Sequence, residues 1–233
     1  MTDAAPLRPA FAHVTDWVFD LDNTLYPREC NLFAQVDVRI TDYMMRATGL
    51  PRDDARALQK TYYRDHGTSL RGLMLHYEVD PDHFLSMVHD IDYSGVAAHP
   101  ELVAAITALP GRKFILTNGD VGHATHVLEK VGGVGLFEGI FDVKAMNYRP
   151  KPLPEAYEAF FAQHRIDAKR AAMFDDLEKN LLVPHERGMA TVQVVAAEDF
   201  AHEQVESWEL GRSGGPHVHH VTSDLAGFLR QVV

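Results

Sequence analysis

The chain has 233 residues, 46% of them hydrophobic, with 33 acidic and 22 basic residues and a formal net charge of −11. That length holds one large domain or one domain with a smaller insertion. The acidic balance argues against a nucleic-acid polymer or an anionic membrane as partner, while leaving room for a small phosphorylated molecule at a locally positive site. Cys30 is the only cysteine, which rules out an intrachain disulfide and a cysteine-built zinc cluster and fits a reduced, cytoplasmic setting. The opening MTDAAPLRPAFAHV lacks the apolar centre of a signal peptide, and no run of about eighteen apolar residues predicts a membrane span.

In chain order, TDWVFDL (15–21) reads as a buried strand, closed by the turn residues of NTLYP. Residues 28–97 contain FAQVDVRITDYMMRATG, RDDARALQKTYYRDHG, SLRGLMLHYE and DHFLSMVHDI, all with helical spacing and with no convincing strand among them. Further strands are expected at RKFILTN (112–118), GIFDVKA (139–145), AAMFDD (171–176), ATVQVV (190–195) and HVHHV (217–221), the last after a surface loop, GRSGGPHVHH (211–220). Helical patterns fall between most of them, as in HATHVLEKVG, PLPEAYEAFFAQHR and DLAGFLRQVV. The alternation predicts an α/β protein: a Rossmann-like three-layer core (1–27 and 98–233) with a mainly parallel sheet, and an inserted α-helical cap (28–97) above the first strand end. In such sheets ligands bind at the carboxyl ends of the strands.

Four strand ends carry chemical groups. The first delivers Asp20 and Asp22, which point to the same side of an extended chain and repel unless a cation or reacting group compensates. The second delivers Thr117, Asn118 and Gly119. Lys151 follows the third, and Asp175 and Asp176 end the fourth. Taken singly, these are a polar strand end, a turn, an exposed helix start and a helix cap. Together, in this order, they suit attack by a carboxylate on a phosphate. Two unit charges about 4 Å apart repel by roughly 4 kcal/mol at an effective dielectric of about 20, so compensation of that order is needed. A hard divalent cation, a lysine, a hydroxyl and backbone N–H groups supply it. The second aspartate of the pair is placed to protonate the leaving oxygen and then activate water, and a carboxylate nucleophile divides the reaction through an aspartyl-phosphate.

The set DLDNT, LTNG, RPKP and FDDLEKN resembles the haloacid dehalogenase superfamily, in its phosphatase branch with a small helical cap. The resemblance implies Mg2+ as cofactor and a phosphate ester as substrate. It implies Asp20 as nucleophile and metal ligand, and Asp22 as acid–base residue with its backbone carbonyl on the metal. Thr117, Asn118 and Gly119 are implied at the phosphate and Lys151 as the neutralising cation. Asp176 is implied as the direct acidic ligand, with Asp175 a further metal candidate and Asn180 in the place of an outer acid. Asp22 argues against carbon–halogen cleavage, because the superfamily's dehalogenases lack that residue; phosphomutases share the pair and stay open.

DLDNTLYP, YYRDHGTSLRGLM and YRPKPLPEAY are similar to the pyrimidine 5′-nucleotidase group, which implies UMP and CMP as substrates. Rival readings are a general small-metabolite phosphatase acting on phosphoglycolate or sugar phosphates, and a non-catalytic phosphate-binding or regulatory protein. Within the cap, Thr68 and Arg71 are substrate-contact candidates, with Tyr63 and His66 beside them. His123 and His126, on the helix after TNGD, are expected at the surface or in packing, with substrate contact as the alternative for His123, and His217, His219 and His220 on a solvated strand edge.

Overall fold

The computed structural model describes residues 7–196 and 214–233. Residues 1–6 of the opening stretch and 211–213 of the loop lie outside the described residues. Ten α-helices are described: α1 (Leu7–Phe11), α2 (Leu32–Thr48), α3 (Arg52–His66), α4 (Ser69–His76), α5 (Pro81–Val88), α6 (Pro100–Ala108), α7 (Val121–Val131), α8 (Pro154–His164), α9 (Glu178–Glu186) and α10 (Leu225–Val232). Six strands, β1 (Asp16–Phe19), β2 (Arg112–Leu116), β3 (Gly139–Phe141), β4 (Ala171–Asp175), β5 (Ala190–Val194) and β6 (His220–Thr222), form one sheet in the order β3-β2-β1-β4-β5-β6. Every neighbouring pair is parallel. The chain thus has the expected α/β architecture with a helical insertion between β1 and β2.

The three layers follow from the two-residue period of a strand. Trp17 and Phe19 of β1, Ile115 of β2 and Ala172 and Phe174 of β4 face one side, where they pack with residues of α6, α7 and α10 and with Phe11 of α1. Val18, Phe114, Leu116, Ala171 and Met173 face the other, against Ala156, Tyr157 and Phe160 of α8 and Leu181 of α9. β1 and β4 are buried at every residue, as central strands covered on both faces must be. The helices α2 to α5 close around their own apolar cluster, including Met44, Tyr62, Leu73 and Phe84.

Helix α9 was obscured in the sequence by Pro184, which lies inside it. A proline lacks the N–H that would bond to the carbonyl four residues earlier. That carbonyl belongs to Asn180, and it accepts the Tyr157 hydroxyl at 2.7 Å instead. The lost helical bond is therefore replaced from α8.

The last strand requires a correction. It begins at His220, not His217. Val218 N–H bonds back to the Gly215 carbonyl, so Gly215 to Val218 form a turn. His217 Nε2 lies 3.0 Å from the Glu178 carbonyl, His219 Nδ1 lies 2.9 Å from Thr191 Oγ1, and the His220 ring packs near Phe11 and Phe228. These three histidines are tied to separate neighbours and do not alternate along a solvated edge.

Candidate active site

The sheet reverses its winding between β1 and β4, and a crevice opens there beyond the strand ends. Phe19 is in register with Phe174, and the Asp20 N–H bonds to the Phe174 carbonyl at 2.8 Å. The next residues on the two strands, Asp20 and Asp175, therefore lie side by side. Asp22 follows two residues on, in a turn that needs a positive φ of 58° at Asn23, a conformation asparagine tolerates.

Lys151 binds this arrangement together. It is 1% exposed, and its Nζ donates to Asp20 Oδ1 and to Asp175 Oδ2, each at 2.7 Å. Burial works against its charge, but the two carboxylates outweigh it and hold the ammonium more firmly charged than an ordinary lysine. Asn118 fixes the loop that carries it: its side chain donates to the Lys151 carbonyl at 3.0 Å and accepts the Lys151 N–H at 2.9 Å. Thr117 is fully buried, and its hydroxyl accepts the Gly119 N–H at 3.0 Å.

The carboxylates are crowded. Asp20, Asp175 and Asp176 each offer an oxygen within 4.8 Å of the others, and all three are buried. Burial raises Asp20 well above the usual carboxylate range; Lys151 offsets part of this, while Asp175, Asp176 and Asp22 add to it. Asp176 is pushed up to about 6 by burial and by Asp175, against the pull of Arg28 and Lys151. Asp22 behaves differently. Burial again opposes its charge, but His123, whose Nε2 is 2.8 Å from Oδ1, and the Tyr26 hydroxyl, which donates to Oδ1 at 2.5 Å, hold it at about 2.

A hard cation fits this donor set. Four carboxylates (Asp20, Asp22, Asp175, Asp176) face two fixed cations, Lys151 and Arg28. The oxygens are the ligand type magnesium prefers. Asn180 Oδ1 is buried without a hydrogen-bond partner among the described residues, next to Asp175, whose Oδ1 accepts the Asn180 amide at 2.8 Å. Such an orphaned acceptor suits a hydrated ion nearby. Asp175 has both oxygens committed, to Lys151 on one side and to Asn180 and the Leu177 N–H on the other. Asp20 and Asp176 are left as the freer donors. The Asp22 carboxyl lies outside the triad, in keeping with a contact through its backbone carbonyl only.

A cavity reaches from Asp20, Asp22, Asn118, Gly119, Lys151 and Asp176 up into the helical insertion. Tyr63 and Thr68 line it; Thr68 also caps α4 by accepting the Arg71 N–H. Arg71 and His66 are not among the lining residues. Arg71 Nη1 instead donates to the Tyr148 carbonyl at 3.0 Å, tying α4 to the loop before Lys151. The His66 ring lies against Tyr62 and His76. One N–H of the Arg71 guanidinium thus docks α4 onto the loop that leads to Lys151.

Sequence reasoning passed over two residues here. Arg28, at the start of a short 3-10 turn, donates to Asp176 Oδ2 at 2.6 Å. His123, read as surface or packing, is 2% exposed and sits on Asp22. Its signal was present: Asp120 caps α7 through the His123 N–H, and a side chain in the first turn of a helix leans back toward the strand end that precedes it. His126, one turn further, packs beside Tyr93.

The architecture and the buried carboxylate cluster define a hydrolase-type α/β protein with a helical insertion. The chain belongs to the haloacid dehalogenase-like hydrolases, whose family model matches residues 18–182. It is 25% identical over 224 residues to Phosphate metabolism protein 8 of Saccharomyces cerevisiae, an alignment that takes in 87% of this chain and spans 66% of that protein. Similar folds include the HAD-hydrolase YfnB of Bacillus subtilis, crystallised with magnesium (TM-score 0.57, 14% identity, 94% of this chain and 98% of that one). A HAD phosphatase of Thermococcus onnurineus (TM-score 0.58, 15% identity, 93% and 97%) and the L-2-haloacid dehalogenase of Xanthobacter autotrophicus (TM-score 0.56, 14% identity, 94% and 98%) are also similar. Among the described residues no helix is long and apolar enough to cross a membrane.

Proposed function

We propose that the chain is a magnesium-dependent phosphomonoesterase that works through an aspartyl-phosphate on Asp20, with pyrimidine nucleoside 5′-monophosphates such as UMP and CMP as substrates. The observation that carries the reading is the bridging of Asp20 and Asp175 by buried Lys151 beside a second, separately held carboxylate, Asp22. A binding module has no use for that second carboxylate.

In this reading Asp20 and Asp176 hold the metal, with Asp175 and Asn180 behind them. Bound magnesium supplies the positive charge that lets a carboxylate approach a phosphate. An Asp20 oxygen forms a bond to phosphorus as the bond to the leaving oxygen breaks, and the Asp22 carboxyl gives that oxygen its proton. Free Asp22 is ionised at neutral pH, since it is held at about 2; a phosphate dianion beside it favours uptake of a proton from solvent as the substrate binds, and that is the proton delivered to the leaving oxygen. Asp22 then takes a proton from water as the water oxygen attacks phosphorus. The Asp20–phosphorus bond breaks, releasing inorganic phosphate; Asp20 is again a carboxylate, and the proton that Asp22 took from water returns to solvent as phosphate leaves. Lys151 holds Asp20 in place and Thr117 with Gly119 shapes the phosphate end.

The insertion side of the cavity is lined by Phe33, Val36, Ile40, Leu70 and Phe84. Such walls favour a leaving group with an apolar face, such as a pyrimidine ring, over phosphoglycolate or a sugar phosphate. The test is phosphate release from UMP, CMP, dUMP, AMP, GMP, phosphoglycolate, sugar phosphates and a lysophospholipid, with magnesium and with chelator. Release led by UMP and CMP, lost with chelator and in Asp20→Asn, is the expected result. Full activity in Asp20→Asn would remove the aspartyl-phosphate, and a sugar-led profile would remove the nucleotide.

A further inference from the structure

We propose that His123 is a positioning residue that sets the acid–base carboxyl of Asp22 for proton transfer, an inference that rests on the phosphomonoesterase reading. Asp22 Oδ1 already accepts the Tyr26 hydroxyl, and at 2.8 Å the same oxygen accepts the Nε2 hydrogen of His123. The other ring nitrogen, Nδ1, is 2.9 Å from the Tyr93 hydroxyl. The ring lies flat on that of His89, with centroids 4.5 Å apart and planes 12° from parallel. Asp120 fixes the backbone below it. The imidazole is therefore held at both nitrogens and on one face.

The consequence falls on Asp22. His123 and Tyr26 both bond to Oδ1. Oδ2 has no hydrogen-bond partner among the described residues, and Asp22 lines the cavity. Two donors on one oxygen fix the rotation of the carboxyl and present the other oxygen to the cavity. Gly119 borders this pair: a Cβ there would lie 3.1 Å from His123 Cδ2, a close contact, and 3.8 Å from Asp22 Oδ2.

A histidine used only for packing looks different in the same molecule. His164 sits among the rings of Phe114, Phe141 and Phe160, and its Nε2 is buried without a hydrogen-bond partner among the described residues. His123 also packs on rings, but each of its nitrogens meets a polar partner and one partner is a carboxylate of the site.

The test separates proton delivery from general damage by the leaving group. UMP, or whichever alkyl phosphate the panel favours, leaves as an alkoxide that must be protonated as the bond breaks. p-Nitrophenyl phosphate leaves as a stable phenolate that needs no proton. kcat/KM, which reports the first chemical step, is measured for both in wild type, His123→Ala, His123→Gln and Tyr93→Phe, with folding followed by circular dichroism. His123→Ala is expected to lose roughly 100-fold on the alkyl ester and under about tenfold on the aryl ester, in line with the contribution of a placed acid–base group. His123→Gln, which keeps a donor near the Nε2 position, is expected to recover most of the loss. Tyr93→Phe is expected to cost roughly 2- to 10-fold on the alkyl ester alone, the scale of one hydrogen bond. Should His123→Ala not fold, His123→Gln and Tyr93→Phe carry the test through the same alkyl-to-aryl ratio. Equal losses on both esters, or a glutamine no better than alanine, would overturn the proposal in favour of packing. Activity surviving in Asp20→Asn would instead overturn the reading on which it rests.

Discussion

Replacing Lys151 with methionine keeps most of the side-chain volume and removes the charge. The ammonium sits 2.7 Å from an oxygen of Asp20 and 2.7 Å from one of Asp175, at 1% exposure. At an effective dielectric of about 20, each contact amounts to about 6 kcal/mol of gross attraction. Most of that offsets the cost of burying three charges, and the loss on breaking such a buried set is about 3–5 kcal/mol. At roughly 2–4 °C per kcal/mol for a chain of this size, the melting temperature of Lys151→Met should fall by roughly 6–20 °C at pH 7.5. The sign with pH follows from Asp20. Its carboxyl is already raised above the usual range, and loss of the lysine raises it further. A raised carboxyl favours folding below its unfolded value near 3.9, and that contribution is lost as pH rises through the folded value. The penalty should therefore be smaller at pH 5 than at pH 7.5. Urea unfolding of wild type, Lys151→Met and Lys151→Met/Asp175→Asn at both pH values checks this, and the double variant should recover part of the loss. A Lys151→Met loss under about 1 kcal/mol that is the same at both pH values and unaffected by Asp175→Asn would refute the buried-triad reasoning.

Two further outcomes are expected. Arg28→Ala removes a cation from Asp176, which it now holds at 2.6 Å, so magnesium should stabilise this variant more than wild type at pH 8, where Asp176, held at about 6, is ionised. A tenfold gain in affinity would add roughly 3–6 °C to the magnesium-induced melting shift, and an equal or smaller shift would refute the competition. Asp120→Ala removes the α7 cap and should cost about 1 kcal/mol at pH 7. Asp120 is held at about 2: burial opposes its charge, but His89, whose Nδ1 is 3.2 Å away, and the His123 N–H outweigh it. A lowered carboxyl contributes stability above its unfolded value and loses it as pH falls through the folded one. The gap between wild type and Asp120→Ala in urea unfolding should therefore narrow from about pH 4 toward pH 2, whereas a constant gap would assign the effect to the helix alone.

What was legible in the sequence was whatever a short window determines. β1 and β4 are apolar runs ending in carboxylates, so their ends and their charges appear together in VFDLD and MFDD. Helices α2 to α5 carry their spacing openly. What stayed hidden depends on partners far along the chain. Helix α9 looks broken at Pro184 until Tyr157 is seen to take up the freed Asn180 carbonyl. β6 looks longer than it is because His217 and His219 resemble strand residues until Glu178 is seen to meet the first, inside the turn, and Thr191 the second, just after it. The contact of Arg71 with the Tyr148 carbonyl spans 77 residues and leaves no local trace. The same limit explains His123: its spacing from Asp120 is local, but Asp22 is 101 residues away.

The two segments that join the helical insertion to the sheet also bear on the site. The first carries Tyr26, on Asp22, and Arg28, on Asp176. The second carries Tyr93, on His123, and follows directly from His89, which lies flat on the same ring. The second segment is clasped to the insertion: the Gln35 side chain of α2 donates to the Asp92 carbonyl and accepts the Asp92 N–H, each at 3.0 Å. Helix α2 is thus linked through Asp92 and its neighbour Tyr93 to the imidazole that meets the Asp22 carboxyl. An insertion that merely covered the cavity would exclude water and nothing more. Here the connecting segments also reach Asp22, directly through Tyr26 and through Tyr93 by way of His123. The nucleophile side of the site shares little of this dependence, since Asp20 and Lys151 are held to each other and to Asp175 from the sheet and its loops. Asp20 and Lys151 are thereby anchored to the sheet and its loops, while Asp22 is tied as well to the segments that enter the insertion.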